Sequence, residues 1–194
     1  MSKVLIVIGS ARKGRVADTI SGYVQAELAT LENISVTIAD LKEIDLPFFD
    51  NESSPLSPGY VIANPKVLAW SQMVQAADSI IFITPEYNHA MTAIQKNALD
   101  SLGVEWDKKS VTVVAYGWSG GSLAVANFQV VAGNLKADIK PSFSELRFMK
   151  DLNPDGSLLD ETSVTAQIKA TINEILSSPH SLLPSLQAYG IVSS

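Results

Sequence analysis

The chain has no cysteine among its 194 residues, which excludes disulfides, thiolate metal sites, iron–sulfur clusters and a cysteine nucleophile. With no bridge to form, a cytoplasmic setting is the plain expectation. Basic residues are the minority sign, 14 Lys and Arg against 20 Asp and Glu, for a formal net charge of -6. Such a chain offers no broad basic surface to nucleic acid or anionic membrane, so any anion it binds is held locally. Long apolar runs are missing too. The first, residues 4–8, is too short for a signal-peptide core or a membrane helix, and Arg12 and Lys13 follow closely. There is no internal repeat. The two histidines, His89 in a loop and His180 near the end, are lone residues of the kind more often structural or solvated than catalytic.

What is present suits one buried core. Residues of the AVILMFWYC group make up 46% of the chain and charged residues only 18%, enough apolar side chain for a single domain of this size. We expect that domain over residues 1–178, followed by a weakly patterned tail at 179–194. Four short apolar runs, at 4–8, 36–39, 80–83 and 111–115, lack polar alternation and read as parallel strands buried on both faces. Helical stripes lie between and after them. Val16, Ile20, Tyr23, Val24, Leu28 and Leu31 share one face; so do Val67, Trp70, Met73, Val74 and Ala77, behind an Asn64-Pro65 cap. Ala124, Phe128, Val131 and Leu135 form a third stripe, and Val164, Ile168, Ile172 and Ile175 a fourth.

Strands alternating with helices imply a doubly wound sheet with right-handed crossovers. With a fifth strand around 143–148, interrupted upstream by Pro141, the expected architecture is a flavodoxin-like three-layer sandwich. Its five-stranded parallel sheet has the order 2-1-3-4-5. The stretch 46–58, with three prolines, is too long for a simple connector and reads as either a rim over the site or an oligomer contact.

Ligands of such sheets bind outside the carboxyl ends of the strands, where the strand order reverses. That rule selects three loops. Gly9-Ser10-Ala11-Arg12-Lys13-Gly14-Arg15 joins a buried strand to a helix start. Small residues let its amides approach an anion, and Ser10, Arg12 and Arg15 add donors. A solvated basic turn is the bland alternative, but cations at a helix N-terminus oppose the macrodipole unless an anion compensates, which favours a bound phosphate. The loop is neither a Walker A sequence nor Gly-x-Gly-x-x-Gly. Thr84-Pro85-Glu86-Tyr87-Asn88-His89 offers a stiff strand exit, a flat ring and planar donors and acceptors; an ordinary turn with Tyr87 on the rim explains it equally well. Tyr116-Gly117-Trp118-Ser119-Gly120-Gly121-Ser122 permits positive φ and close approach to a ligand, as would a tight turn without one. Together the loops specify a mononucleotide with a planar ring.

In these residues the sequence resembles the NADPH-dependent FMN reductases, a family that includes bacterial azo, quinone and chromate reductases. The resemblance rests on Gly9-Ser10-x-Arg12-x-x-Arg15, on Pro85-Glu86-Tyr87-Asn88, on Lys96-Asn97-Ala98-Leu99-Asp100, and on Gly117, Gly120 and Gly121. It implies that Ser10, Arg12 and Arg15 hold the FMN phosphate, and that Pro85, Glu86, Tyr87 and Asn88 line the isoalloxazine. Gly117, Ser119, Gly120 and Gly121 lie near its other edge. It also implies NADPH as reductant, a small-molecule electron acceptor, and a homodimer or homotetramer. The chain departs from the family where Thr92 and Ile94-Gln95 replace a proline and a leucine, and where Val16 and Ala17 replace a serine or asparagine after the second arginine. The rival expectation is an electron carrier that keeps FMN but passes electrons to a protein partner.

Overall fold

The structure, a computed structural model, describes residues 1–177; the expected boundary at 178, the tail at 179–194 and His180 lie outside the described residues. In chain order the elements are β1 (Ser2–Ile8), α1 (Ala17–Leu28), β2 (Ile34–Asp40), α2 (Leu41–Ile44), α3 (Pro65–Ala76), β3 (Ser79–Pro85) and α4 (Ala93–Asp100). A single 3-10 turn (Val104–Trp106) leads to β4 (Ser110–Gly117), α5 (Ser122–Asn134), β5 (Asp138–Ile139), β6 (Ser144–Arg147) and α6 (Glu161–Leu176).

The three central strands, β1, β3 and β4, are the Val- and Ile-rich runs, and alternation along them builds two cores. Leu5, Val7, Ile80, Phe82, Val111 and Val113 face one side, where α3, α4 and α5 pack; Phe82 stands between Trp106 and Phe128. Val4, Ile6, Ile81, Ile83 and Val114 face the other, covered by α1 and α6. Both faces are covered, so no polar alternation is needed. All pairings are parallel in the order β2-β1-β3-β4-β5, and the order reverses between β1 and β3.

Four details depart from the pattern expected above. β2 is not buried on both faces: at the sheet edge that the expected order gives it, with a strand neighbour on one side only, its Val36 and Ile38 are 37% and 38% exposed. The fifth position of the sheet is filled by two pieces. β5 pairs with Ser110 and Val111, β6 pairs with residues 114–117 of β4, and Pro141, which has no N–H to give the ladder, lies in the gap. Thr112 Oγ1 donates to the Ser142 carbonyl at 2.8 Å and bridges that gap. α1 ends at Leu28, so Leu31 falls beyond its stripe and is exposed. The 46–58 stretch is pinned to α4: the Phe49 amide donates to Asn97 Oδ1 and Asn97 Nδ2 to the Pro47 carbonyl, both at 2.9 Å. It encloses a small cavity of about 120 Å³ and contributes nothing to the lining of the main cleft.

Candidate functional site

The loops after β1, β3 and β4 meet around a cleft of about 760 Å³ at the point where the strand order reverses. Its floor is set by the first loop. Gly9 has no room for a side chain: a Cβ would stand 2.5 Å from Gln95 Oε1 and 3.0 Å from the Ile83 carbonyl. Thr92 Oγ1 donates to the Gly9 carbonyl at 2.5 Å and Gln95 Nε2 to Thr84 Oγ1 at 2.9 Å, so the start of α4 braces β1 against β3 from below. The departures at Thr92 and Gln95 therefore act under the first loop. Ser10 is buried, its hydroxyl 2.9 Å from that of Tyr87. Burial pushes the neighbouring Tyr116 phenol well above its ordinary pKa, a rise that its hydrogen bond with Ser10 partly opposes.

The two arginines of this loop differ. Every N–H of Arg15 is taken: Nε and Nη2 on Asp18, Nη1 on the Ser10 carbonyl and Asp40 Oδ1, Nη2 also on Asp40 Oδ2. The Asp40 hydrogen bond is the main reason that its pKa lies above the usual arginine range, and Arg15 in turn holds the Asp40 carboxyl below the usual carboxylate range. Arg15 thus ties the loop to the end of β2 and the first turn of α1. Arg12 lines the cleft, is exposed, and has no ion pair or hydrogen bond with another described residue. Behind it, α1 has Val16 as its N-cap and so no side-chain cap, which leaves its first-turn amides to be met from outside the helix.

The second loop is locked to the third. The Glu86 carboxylate accepts from Ser119 Oγ at 2.8 Å and from the Leu123 and Ala124 amides at 3.0 and 3.4 Å, capping α5 where Gly121 offers no side chain. Burial raises its pKa, but these donors, with His89, outweigh burial, and the net shift is downward. Reciprocal hydrogen bonds between Tyr87 and Ala90 close a two-residue turn with Asn88 and His89 at φ 49° and 65°. That mirror-image turn presents both side chains to solvent at the cleft mouth.

In the third loop, Gly117 lines the cleft. Gly120 and Gly121, both at φ +85°, lie behind it, and a Cβ on Gly121 would come within 2.7 Å of Ala115 Cβ. They shape the turn. Of the residues expected at the site, Ser10, Arg12, Arg15, Pro85, Glu86, Tyr87, Asn88, Gly117 and Ser119 line the cleft, while Gly120 and Gly121 do not. Tyr116 and Trp118 belong to the expected third loop but had no role assigned to them, and Phe148 and Pro154 were not expected at the site; all four line it. Phe148 follows β6, so the rule of strand carboxyl ends would have selected it had the broken fifth strand been assigned cleanly. Among the described residues no three His, Cys, Asp or Glu side chains are grouped to hold a metal ion, and no helix is long and apolar enough to cross a membrane.

Residues 2–144 match the family model described as NADPH-dependent FMN reductase, a span that contains all three loops. The chain is 35% identical over 147 residues to the NAD(P)H-dependent FMN reductase LOT6 of Saccharomyces cerevisiae, covering 71% of this chain and 76% of that one. It is 34% identical over 150 residues to the NAD(P)H-dependent FMN reductase C4B3.06c of Schizosaccharomyces pombe, covering 77% and 74%. The solved flavoenzyme NAD(P)H:(acceptor) oxidoreductase FerB of Paracoccus denitrificans superposes with a TM-score of 0.70 at 22% identity, over 94% of this chain and 100% of that one, a likeness of fold. The chain belongs to the NADPH-dependent FMN reductase family.

Proposed function

We propose that this FMN-dependent oxidoreductase takes hydride from NADPH and passes two electrons to a quinone, an azo compound, a metal oxyanion or a free flavin. With a quinone the balance is NADPH plus H⁺ plus quinone giving NADP⁺ plus hydroquinone. The observation that carries the reading is the cleft itself: an uncommitted cation, Arg12, and an uncapped helix start beside a flat, partly aromatic wall, in a chain of this family. The residues fit FMN. The cleft volume lies within the roughly 300 to 1,000 Å³ usual for cofactor sites. Arg12, Ser10 and the first-loop amides would hold the phosphate, with Arg15 fixing the loop around it. Pro85, Tyr87, Asn88 and Gly117 would flank the ring, and Glu86 and Ser119 keep the second and third loops in register.

The chemistry FMN supplies when bound is hydride acceptance and two-electron return, so the protein need only bind, orient and exclude. A homodimer or homotetramer in the cytoplasm is the assembly we propose. α5 carries no charged residue, and its Leu123 and Val130 are exposed, as is Phe48 on the 46–58 stretch. The test is an absorption spectrum of the purified protein before and after FMN, followed by NADPH oxidation with a quinone. Retained flavin and rapid turnover are expected. A preparation that stays colourless after FMN sinks the reading, and bound flavin without NADPH oxidation favours the electron carrier.

A further inference from the structure

Of the three tryptophans, Trp70 and Trp106 are buried and donate their indole N–H to the Ala98 and Leu99 carbonyls, at 2.9 and 3.1 Å. Trp118 is 73% exposed, on the wall of the cleft. So large an apolar ring left in water has a cost, and here its surroundings hold it in place. Its ring meets Phe148 edge-on at 5.5 Å, and Phe148 meets Tyr116 edge-on at 6.1 Å. The backbone beneath is fixed by the Phe148 and Gly120 amides, which donate to the Gly117 carbonyl at 3.1 and 3.2 Å, and by Ser119 on Glu86. The result is a rigid aromatic step beside the cleft with its outermost ring uncovered.

We propose that Trp118 is a specificity-determining residue that stacks the ring of the electron acceptor, so that fused-ring acceptors are favoured over single-ring quinones. The proposal rests on the functional reading above. Charge decides between acceptor and nucleotide. The third loop, residues 117–122, bears no charge, and Glu86 is consumed by α5. Arg147 lies behind Gly120, which is not part of the lining. With Arg12 given to the FMN phosphate, the cation left on the first loop is Lys13, exposed and without an ion pair among the described residues, where a phosphate of NADPH finds its counter-charge. An uncharged planar ring matches the wall formed by Trp118, Phe148 and Pro154.

The experiment compares native protein, Trp118→Phe and Trp118→Ala, all loaded with FMN, on 2-methyl-1,4-naphthoquinone and 1,4-benzoquinone. Losing one ring-stacking contact lowers the ratio of kcat/KM for the fused ring over the single ring by about tenfold in Trp118→Ala, with most of it restored in Trp118→Phe. A binding readout accompanies it. Without NADPH no electrons flow, and the naphthoquinone should quench native tryptophan emission saturably, since the two other indoles are shielded. An unchanged ratio, a larger effect on the KM for NADPH than on that for the acceptor, or quenching without saturation overturns the proposal while FMN binding stands. Native protein that binds no FMN overturns the functional reading and this inference with it.

Discussion

Two arginines three residues apart divide the work of the first loop. Arg15, with every N–H committed to Asp18, Asp40 and the Ser10 carbonyl, has none left for a ligand; Arg12 has all of its own. Arg12→Ala should therefore weaken FMN binding by at least about tenfold, the loss of one or two charge-assisted hydrogen bonds, and leave flavin-free stability within about 0.5 kcal/mol. Arg15→Ala should lower flavin-free stability by roughly 1.5 to 3 kcal/mol. Flavin fluorescence quenching and urea denaturation separate the two, and equal stability losses would refute the division. The pair also predicts a pH dependence. Asp40, held below its ordinary value of 3.8 by Arg15, contributes fully above that pH and loses its contribution as pH falls through its lower folded value. Arg15 shifts upward from the ordinary arginine value, chiefly through its hydrogen bond to Asp40, so its own contribution is complete at any working pH. The stability of Asp40→Asn should be lower than native near neutrality and fall less steeply below about pH 4, as read from urea midpoints.

At the scale of elements, Glu86 joins what the chain separates by more than thirty residues. Its carboxylate is the N-terminal cap of α5, and removing it in Glu86→Ala should cost about 1 to 2 kcal/mol and speed hydrogen exchange at the Leu123 and Ala124 amides. Unchanged exchange at those two amides would show that the helix start is held by something else. No local pattern marks Glu86 as a cap, because its partners lie in another loop; in the sequence it reads as part of a ring-lining motif. The three central strands and their loops were legible because uninterrupted Val and Ile runs belong to interior strands and glycine clusters to turns. β2 was legible as a strand and, from the expected order, as an edge, but its run was read as buried on both faces, since Val36 and Ile38 look alike in an edge or an interior strand. The fifth position was blurred because pieces of two and four residues are too short to show a period. Trp118, though inside the third loop, had no role assigned, and Phe148 was not expected at the site, for a related reason: their shared wall exists only once β6 is laid beside β4.

In the molecule as a whole the three loops meet, among the described residues, around a single cleft, and no second glycine-rich nucleotide loop occurs in the sequence. We propose that reductant and oxidant occupy the cleft in turn, a reading that predicts ping-pong kinetics. Rates plotted in double-reciprocal form against NADPH at several quinone concentrations should give parallel lines, with high quinone competing against NADPH. Intersecting lines would mean that both substrates are held together. The parallel sheet has a further consequence, for the making of the protein. Val4 pairs with Val36 on one side but with Ser79 on the other, and no two strands of the sheet are joined by a hairpin. A ribosome releases β1 long before β3 exists, so an apolar interior strand waits with one edge unpaired while some forty further residues are added. Nascent chains stalled before residue 79 carry an open template for misassembly, and those extended past 85 can close it.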